Sequence, residues 1–451
     1  MKREDYKLIL EKAKNVLDNN HEVYFTKPSG VLYPNQYSWD SCFIAIGYSN
    51  YDQERAEQEI INLFQGQWKN GMLPHVIFNK LKKTGEFPHR DFWEIPKSKR
   101  NPKIHTSGIT QPPIHATACR IIHENAKDKN KSLKFLKHIY PKLLRMHKYF
   151  YSVRDPKKEG LVYIRHPWES GTDNSPLWDG IINTFQFHKK NQKGDEFKDS
   201  RYKRTDIKKK AFINQRPTDR EYDFFVHLLN IFKKLKYDET KIRKTCPFLV
   251  QDALFNSILN KSNKDLLWIA KKLKEDTSLI VEWIKKTSSA LKKKLWNPRN
   301  NIFDDYDLVS KKLIESHSVT GFGPLYSGDC TPKQASGIHS YLASGCFGGK
   351  SKASQLTTYD MKKPEFNKDM YWKGPVWLNI NWLLSRGLLD YGYDADSKKL
   401  INSSIDLIQK SGFYEYFDPL VQKGCGVDNF SWSASLTIDI LYRYFGDKIG
   451  S

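Results

Sequence analysis

Apolar residues recur at helical spacing along almost the whole chain, and the alternation expected of strands is nearly absent. Tyr6 to Leu17 carries Leu8, Ile9, Leu10, Ala13, Val16 and Leu17 on one side of a helix. The same spacing predicts helices over 53–64, 109–125, 132–151, 221–235, 250–259, 264–273, 277–295, 376–389, 396–410 and 431–444, with a further one at 332–345. Strand signals are confined to Gly160–Ile164 and the surroundings of Tyr33. A dozen amphipathic helices must bury their stripes against one another. Helix pairs closing into a toroid give every helix two neighbours and leave no exposed end. An open helical solenoid is the alternative, but it would show a fixed-period repeat, and none is visible. The expectation is an all-α, single-domain chain over 1–451.

The residues with distinctive chemistry fall between these helices, in 67–79, 101–113, 163–179, 320–331, 360–375 and 411–430. Long connections of this composition are where a rigid scaffold carries its function. Aromatic residues make up 14% of the chain, which excludes a disordered polymer, and many of the 12 Trp and 24 Tyr stand beside Asp, Glu, Gly or Asn. Such rings suit a carbohydrate cleft, where they stack on sugar faces, and they also suit an ordinary core.

Formal net charge is +23, which raises nucleic acid as a partner. The lysines are spread at surface-like spacing, and no nucleic-acid motif accompanies them. The densest block, Lys189 to Lys210, is diluted by Asp195, Glu196, Asp199 and Asp206 and reads as a solvated loop inserted near 189–212. No nucleic-acid or membrane partner is expected, since no apolar run reaches the ~18 residues of a span. The first residues lead into a helix without an apolar signal core. The six cysteines form no CxxC motif and no close pair, so neither a disulfide framework nor a zinc site is expected, and a cytoplasmic setting follows. No Walker loop, GxGxxG, metal-spaced His pair or nucleophile elbow is present, and no cofactor or metal is expected.

Two strings stand out. His166-Pro167-Trp168-Glu169-Ser170-Gly171-Thr172-Asp173-Asn174-Ser175-Pro176 sets two carboxylates among Trp, Gly and Asn. Phe413-Tyr414-Glu415-Tyr416-Phe417-Asp418-Pro419 sets another among aromatics, far away in sequence. A pair of carboxyls brought together by folding is what glycoside hydrolysis requires. Asp173, in a Gly- and Asn-containing turn, is either a cavity carboxyl or a cap for the turn at Pro176. Glu169 is the nearby carboxylate expected to raise its pKa. Asp40 beside Trp39 can hold sugar hydroxyls through charge-assisted hydrogen bonds, or cap a helix. His75 and Gln111, in Pro-containing loops, are candidate hydroxyl ligands. Trp372, Trp377 and Trp432 are candidate walls of a sugar subsite or core residues.

In chain order, Trp39-Asp40-Ser41, Gly71-Met72-Leu73-Pro74-His75, Ser107-Gly108-Ile109-Thr110-Gln111-Pro112-Pro113, the 166–176 string, Tyr371-Trp372-Lys373-Gly374-Pro375-Val376-Trp377 and Glu415-Tyr416-Phe417-Asp418-Pro419 together resemble glycoside hydrolase family 63. The likeness spans roughly residues 30 to 445 and is to the compact members that hydrolyse mannosylglycerate and glucosylglycerate. The Glu-Ser-Gly-x-Asp string also looks like that of trehalases in the same clan. The resemblance implies an (α/α)6 barrel with its site formed by loops at one mouth, and hydrolysis of an α-glycoside with inversion. It implies Asp173 as general acid and Glu415 as general base, standing roughly 6.5–9.5 Å apart to admit a water. Lys373 occupies a position where relatives often carry Arg. The Arg216-Pro217-Thr218 segment with Tyr222 resembles the one that contacts glycerate, and an Arg fork suits a carboxylate. Tyr37, Trp168, Glu169, Gly171, Tyr371 and Gly374 complete the candidate substrate-binding set. The expected substrate is a small, anionic α-glycoside. An oligosaccharide α-glucosidase or debranching-type enzyme, and a non-catalytic helical scaffold binding carbohydrate or nucleic acid, are the competing readings.

Overall fold

The computed structural model describes residues 1–80, 85–185, 202–207, 210–348 and 356–450. The core of the predicted basic insertion, 186–201 and 208–209, lies outside the described residues. The helices are α1 (Arg3–Asn20), α2 (Ser38–Tyr48), α3 (Gln53–Leu63), α4 (His115–Asn125), α5 (Lys129–Tyr149), α6 (Pro167–Ser170), α7 (Asp179–Thr184), α8 (Asp219–Lys234) and α9 (Glu239–Thr245). They continue with α10 (Ala253–Leu273), α11 (Ser278–Ala290), α12 (Gly323–Ser327), α13 (Pro332–Ala343), α14 (Leu378–Asp390), α15 (Asp394–Ser411), α16 (Ser431–Tyr444) and α17 (Gly446–Ile449). Strands are two or three residues long and pair antiparallel, as in Gln36–Tyr37 with Val76–Ile77 and Tyr416–Phe417 with Gly424–Cys425.

Six helices form an inner ring. α2 packs on α4, α4 on α10, α10 on α12, α12 on α14, α14 on α16, and α16 returns to α2. Among the described residues, six outer helices cover the seams: α1 lies against α16, α3 between α2 and α4, α5 between α4 and α10, α11 against α10, α15 against α14, and α13, which precedes α14, packs on the Ile302–Phe303 strand. Pairing each outer helix with the inner one that follows it gives an (α/α)6 barrel, with α6 to α9 inserted between α5 and α10.

The two layers obey different rules. Outer helices are one-sided, with apolar stripes inward and charges outward, and three of them, α3, α5 and α13, carry side-chain caps at their N-termini. Asp52 accepts from Arg55 N at α3, Asp128 from Asn130 N and Lys131 N at α5, and Thr331 and Gln334 form a capping box at α13. The inner helices α2 and α16 are enclosed on every side: all eleven residues of α2 are buried, as are Ser431 to Leu441 of α16. Small residues permit the close approach. A Cβ on Gly47 would collide with the backbone and Cβ of Ser435.

Several expectations need correction. The helix predicted from 109 starts at His115, because Pro112 and Pro113 hold the preceding segment extended. The two helices predicted over 250–273 are one, α10, whose polar Asn260, Ser262 and Asn263 are buried and hydrogen-bonded rather than marking a break. Gly160–Ile164 is not a strand, and Ile164 makes only an isolated bridge to Val250. No helix among the described residues is long and apolar enough to cross a membrane.

Candidate active site

The N-terminal ends of the inner helices converge on one mouth of the ring. Trp39 and Asp40 open α2, Gln111 precedes α4, Trp377 stands at the N-cap of α14, and Trp432 is the second residue of α16. With the loops before them they line a cavity of about 150 Å³. Of the predicted residues, Tyr37, Trp39, Asp40, His75, Gln111, Trp168, Gly171, Asp173, Arg216, Tyr222, Tyr371, Trp372, Trp377, Glu415 and Trp432 all face it.

Its floor is aromatic. Trp372 and Trp377 stack with centroids 3.8 Å apart, and Trp432 meets Trp377 edge-on at 5.5 Å and Trp39 at 5.4 Å. The Trp432 indole N–H is buried without a partner among the described residues. Gly171, at φ +76°, brings the 166–176 loop onto the Trp39 ring, where any Cβ would overlap it. A left-handed backbone in this contact requires glycine.

Of the five carboxyls that line the cavity among the described residues, Asp40, Asp173 and Glu415 act on one another. Burial, then the charge of Glu415, pushes the Asp173 pKa up to about 7 against the pull of Arg216. Asp173 does not cap the turn at Pro176; Ser175 does. Burial also drives Asp40 well above the usual carboxylate range, with Glu415 and Asp173 adding to the effect. Glu415 is fixed by ionic and neutral donors. Arg216 Nη2 donates to its Oε2 and Nη1 to its Oε1 at 3.2 Å, while the Tyr33 hydroxyl donates to Oε1 at 2.7 Å. Gly426, at φ +71°, presses on the Glu415 carboxylate so closely that a Cβ there would collide with it. Burial lowers the His75 pKa to about 3, so its imidazole is neutral, and Nδ1 lies 2.6 Å from Ser107 Oγ. Gln111 Oε1 accepts from Trp39 N at 3.2 Å. The Tyr222 hydroxyl donates to Phe87 O at 3.2 Å, beneath the Arg204 guanidinium 4.3 Å from its ring.

Two predicted residues stand behind the cavity. Glu169 is fully buried: Oε2 accepts from Arg154 Nη1 at 2.9 Å and Arg165 N at 2.8 Å, and Oε1 from Arg154 Nη2 at 2.9 Å and Thr110 N at 3.1 Å. Burial alone would raise its pKa, but Arg154 and Arg165 outweigh that and hold it at about 2. Glu169 therefore ties the Asp173 loop to the Gln111 loop, and the carboxylate that raises Asp173 is Glu415. Gly374 packs against Asn367 O and the Phe366 ring, a contact between loops. Lys373 likewise turns from the cavity, 3.0 Å from both Asp179 and Glu221. His166 caps α6. Asp418 holds its turn, accepting from Leu420 N and Val421 N.

Tyr33, Glu86, Phe87, Thr205, Asp206 and Phe430 line the cavity without standing out in the sequence as site residues. Tyr33 has a readable signal, an aromatic in Tyr33-Pro34-Asn35-Gln36-Tyr37 just ahead of Trp39. Asp206 and Thr205 lie in the basic block that reads as a solvated loop, so the described piece of that block is a wall of the cavity. Among the described residues no group of three or more His, Cys, Asp or Glu is placed to hold a metal ion.

A closed ring of helix pairs, with two carboxyls in unlike environments lining one cavity with a Trp floor, is the frame of a glycoside hydrolase. Residues 33–433 match the mannosylglycerate hydrolase MGH1-like glycoside hydrolase domain, and the chain belongs to this group of glycoside hydrolase family 63. It is 40% identical over 437 residues to the mannosylglycerate hydrolase of Rubrobacter radiotolerans, covering 96% of each chain. It is 28% identical to the glucosylglycerate hydrolase of Mycolicibacterium hassiacum, over 95% of this chain and 97% of that one. The crystal structure of the family 63 mannosylglycerate hydrolase from Thermus thermophilus with Tris and D-glycerate superposes with a TM-score of 0.87 at 38% identity, covering 96% of this chain and 99% of that one.

Proposed function

We propose that the protein, acting as a single catalytic domain, hydrolyses an α-linked mannosyl- or glucosylglycerate with inversion, releasing free sugar and glycerate. The observation that carries this reading is the contrast between the two carboxyls in one cavity. Asp173, at about 7, holds a proton to give, and Glu415 is paired with a cation. In this reading Asp173 protonates the glycosidic oxygen as the bond to the anomeric carbon breaks. Glu415 takes a proton from the water that attacks the opposite face. The Trp372–Trp377–Trp432 surface binds the apolar face of the sugar, and the unpaired Trp432 N–H donates to a hydroxyl. Asp40, His75 and Gln111 hold further hydroxyls, and Arg216 receives the carboxylate of the aglycone. The names of the relatives and the D-glycerate in the Thermus structure support the aglycone. The cysteines are free and buried, in keeping with a reducing, cytoplasmic setting.

Proton NMR of the protein with mannosylglycerate, glucosylglycerate and trehalose in separate tubes tests this. The expected result is early β-anomeric sugar from one glycerate substrate. Early α-sugar would overturn inversion, and release only from trehalose would overturn the glycerate aglycone.

A further inference from the structure

Arg216 is the one Lys or Arg among the described residues lining the cavity, and it is only 2% exposed. Its guanidinium lies over the Tyr371 ring at 4.8 Å. Both Nη atoms are committed to Glu415, and Nη1 also reaches the Tyr33 hydroxyl at 2.8 Å. Nε is buried with no partner among the described residues.

Glu415 is correspondingly full. Oε1 accepts from Tyr33 and Arg216, and Oε2 from Arg216 and, at 3.3 Å, from Val427 N. A carboxylate has about four lone-pair positions, two on each oxygen. A general base needs one of them within reach of the proton it removes. As folded, Glu415 must release a donor before it can accept a proton from water.

Among the described residues, the other acidic side chains on the cavity wall are Asp40, Glu86, Asp173 and Asp206, and none of these attracts an anion. Among the described residues, a carboxylate entering with the aglycone has a single Lys or Arg on the wall to bind, and that cation is already held by the base. Two carboxylates then compete for one planar fork.

Resting on the glycosylglycerate reading above, we infer that the substrate's carboxylate takes an Nη donor of Arg216 from Glu415, and that this exchange frees the lone pair with which Glu415 activates water. Recognition of the anion and release of the base are then one event. A neutral glycoside of the same sugar leaves the base occupied, so it is discriminated against in kcat as well as in KM.

An α-glycosyl fluoride separates the two roles of the carboxylate. Fluoride leaves without a proton from Asp173 and leaves the aglycone side open, so its hydrolysis reads the base. Wild-type protein is assayed with α-mannosyl and α-glucosyl fluoride, alone and with D-glycerate or glycerol. The expected result is a rise in kcat of about tenfold with D-glycerate and none with glycerol. Arg216→Lys, which keeps the charge but loses the fork, is expected to lose this activation. A fluoride rate that D-glycerate leaves unchanged or only lowers would overturn the exchange while leaving the substrate reading standing. Fluoride turnover with neither glycosylglycerate cleaved would remove the substrate reading and the exchange together.

Discussion

At the scale of single residues, Asp173 and Glu169 show how alike two carboxylates can look in sequence and how differently they fold. They are four positions apart in one string. Asp173 meets burial and a like charge, and its pKa climbs to about 7; Glu169 meets two arginines and stays at about 2. Asp173→Asn is expected to lower kcat about 10²–10⁴-fold. The wild-type rate should fall as pH rises through about 7, where the acid loses its proton. Stability carries the same sign. A carboxyl whose folded pKa is raised stabilises the fold fully below its unfolded value, and that contribution is lost as pH climbs through about 7. Asp173→Asn, always neutral, should therefore gain on the order of 1–3 kcal/mol over wild type at about pH 8 and little at about pH 4, read by denaturant unfolding. Glu169→Gln should do the reverse. It leaves buried Arg154 and Arg165 to share Glu239 alone among the described carboxylates and is expected to cost about 3–5 kcal/mol. A variant that unfolds like wild type but loses turnover would return Glu169 to the site.

At the scale of elements, legibility follows exposure. The outer helices are readable because one face meets water and the apolar spacing stands out against it. The spacing over 396–410 falls inside the outer helix α15, Asp394–Ser411. α2, which carries Trp39 and Asp40, gives no such signal, because a helix buried on all sides has no polar face to reveal its period. The site strings are legible for a different reason: loops that must place carboxyls and rings use Gly, Asn and Pro at set points, and the order of those points is distinctive. Roles within a string are not legible. Nothing in the sequence says that Glu169 turns away from the cavity or that Asp206 turns towards it, since that depends on partners far along the chain. The α2–α16 seam gives a test at this scale. Gly47→Ala puts a methyl against the Ser435 backbone, which cannot yield as a flexible side-chain tip could, and should cost about 1–3 kcal/mol in thermal or urea unfolding. An unchanged midpoint would mean that the two helices can slide apart.

At the scale of the whole molecule, the barrel gathers what the chain scatters. The inserted α6 to α9 segment brings Asp173, Arg216 and Tyr222, while Glu415 and Trp432 arrive from the opposite side of the ring. The positive net charge is a poor guide to function, because the cavity holds more acids than bases whatever the rest of the surface carries. The seam between α2 and α16 has a consequence in time. It joins segments separated by most of the chain, so the ring cannot close until α16, the last inner helix, has emerged from synthesis. Until then α2 lacks one of its neighbours and shows an oily flank to the surroundings. Such late, long-range closure predicts slow refolding through an open-ring intermediate, one that binds a hydrophobic dye and loses that signal only as catalysis appears.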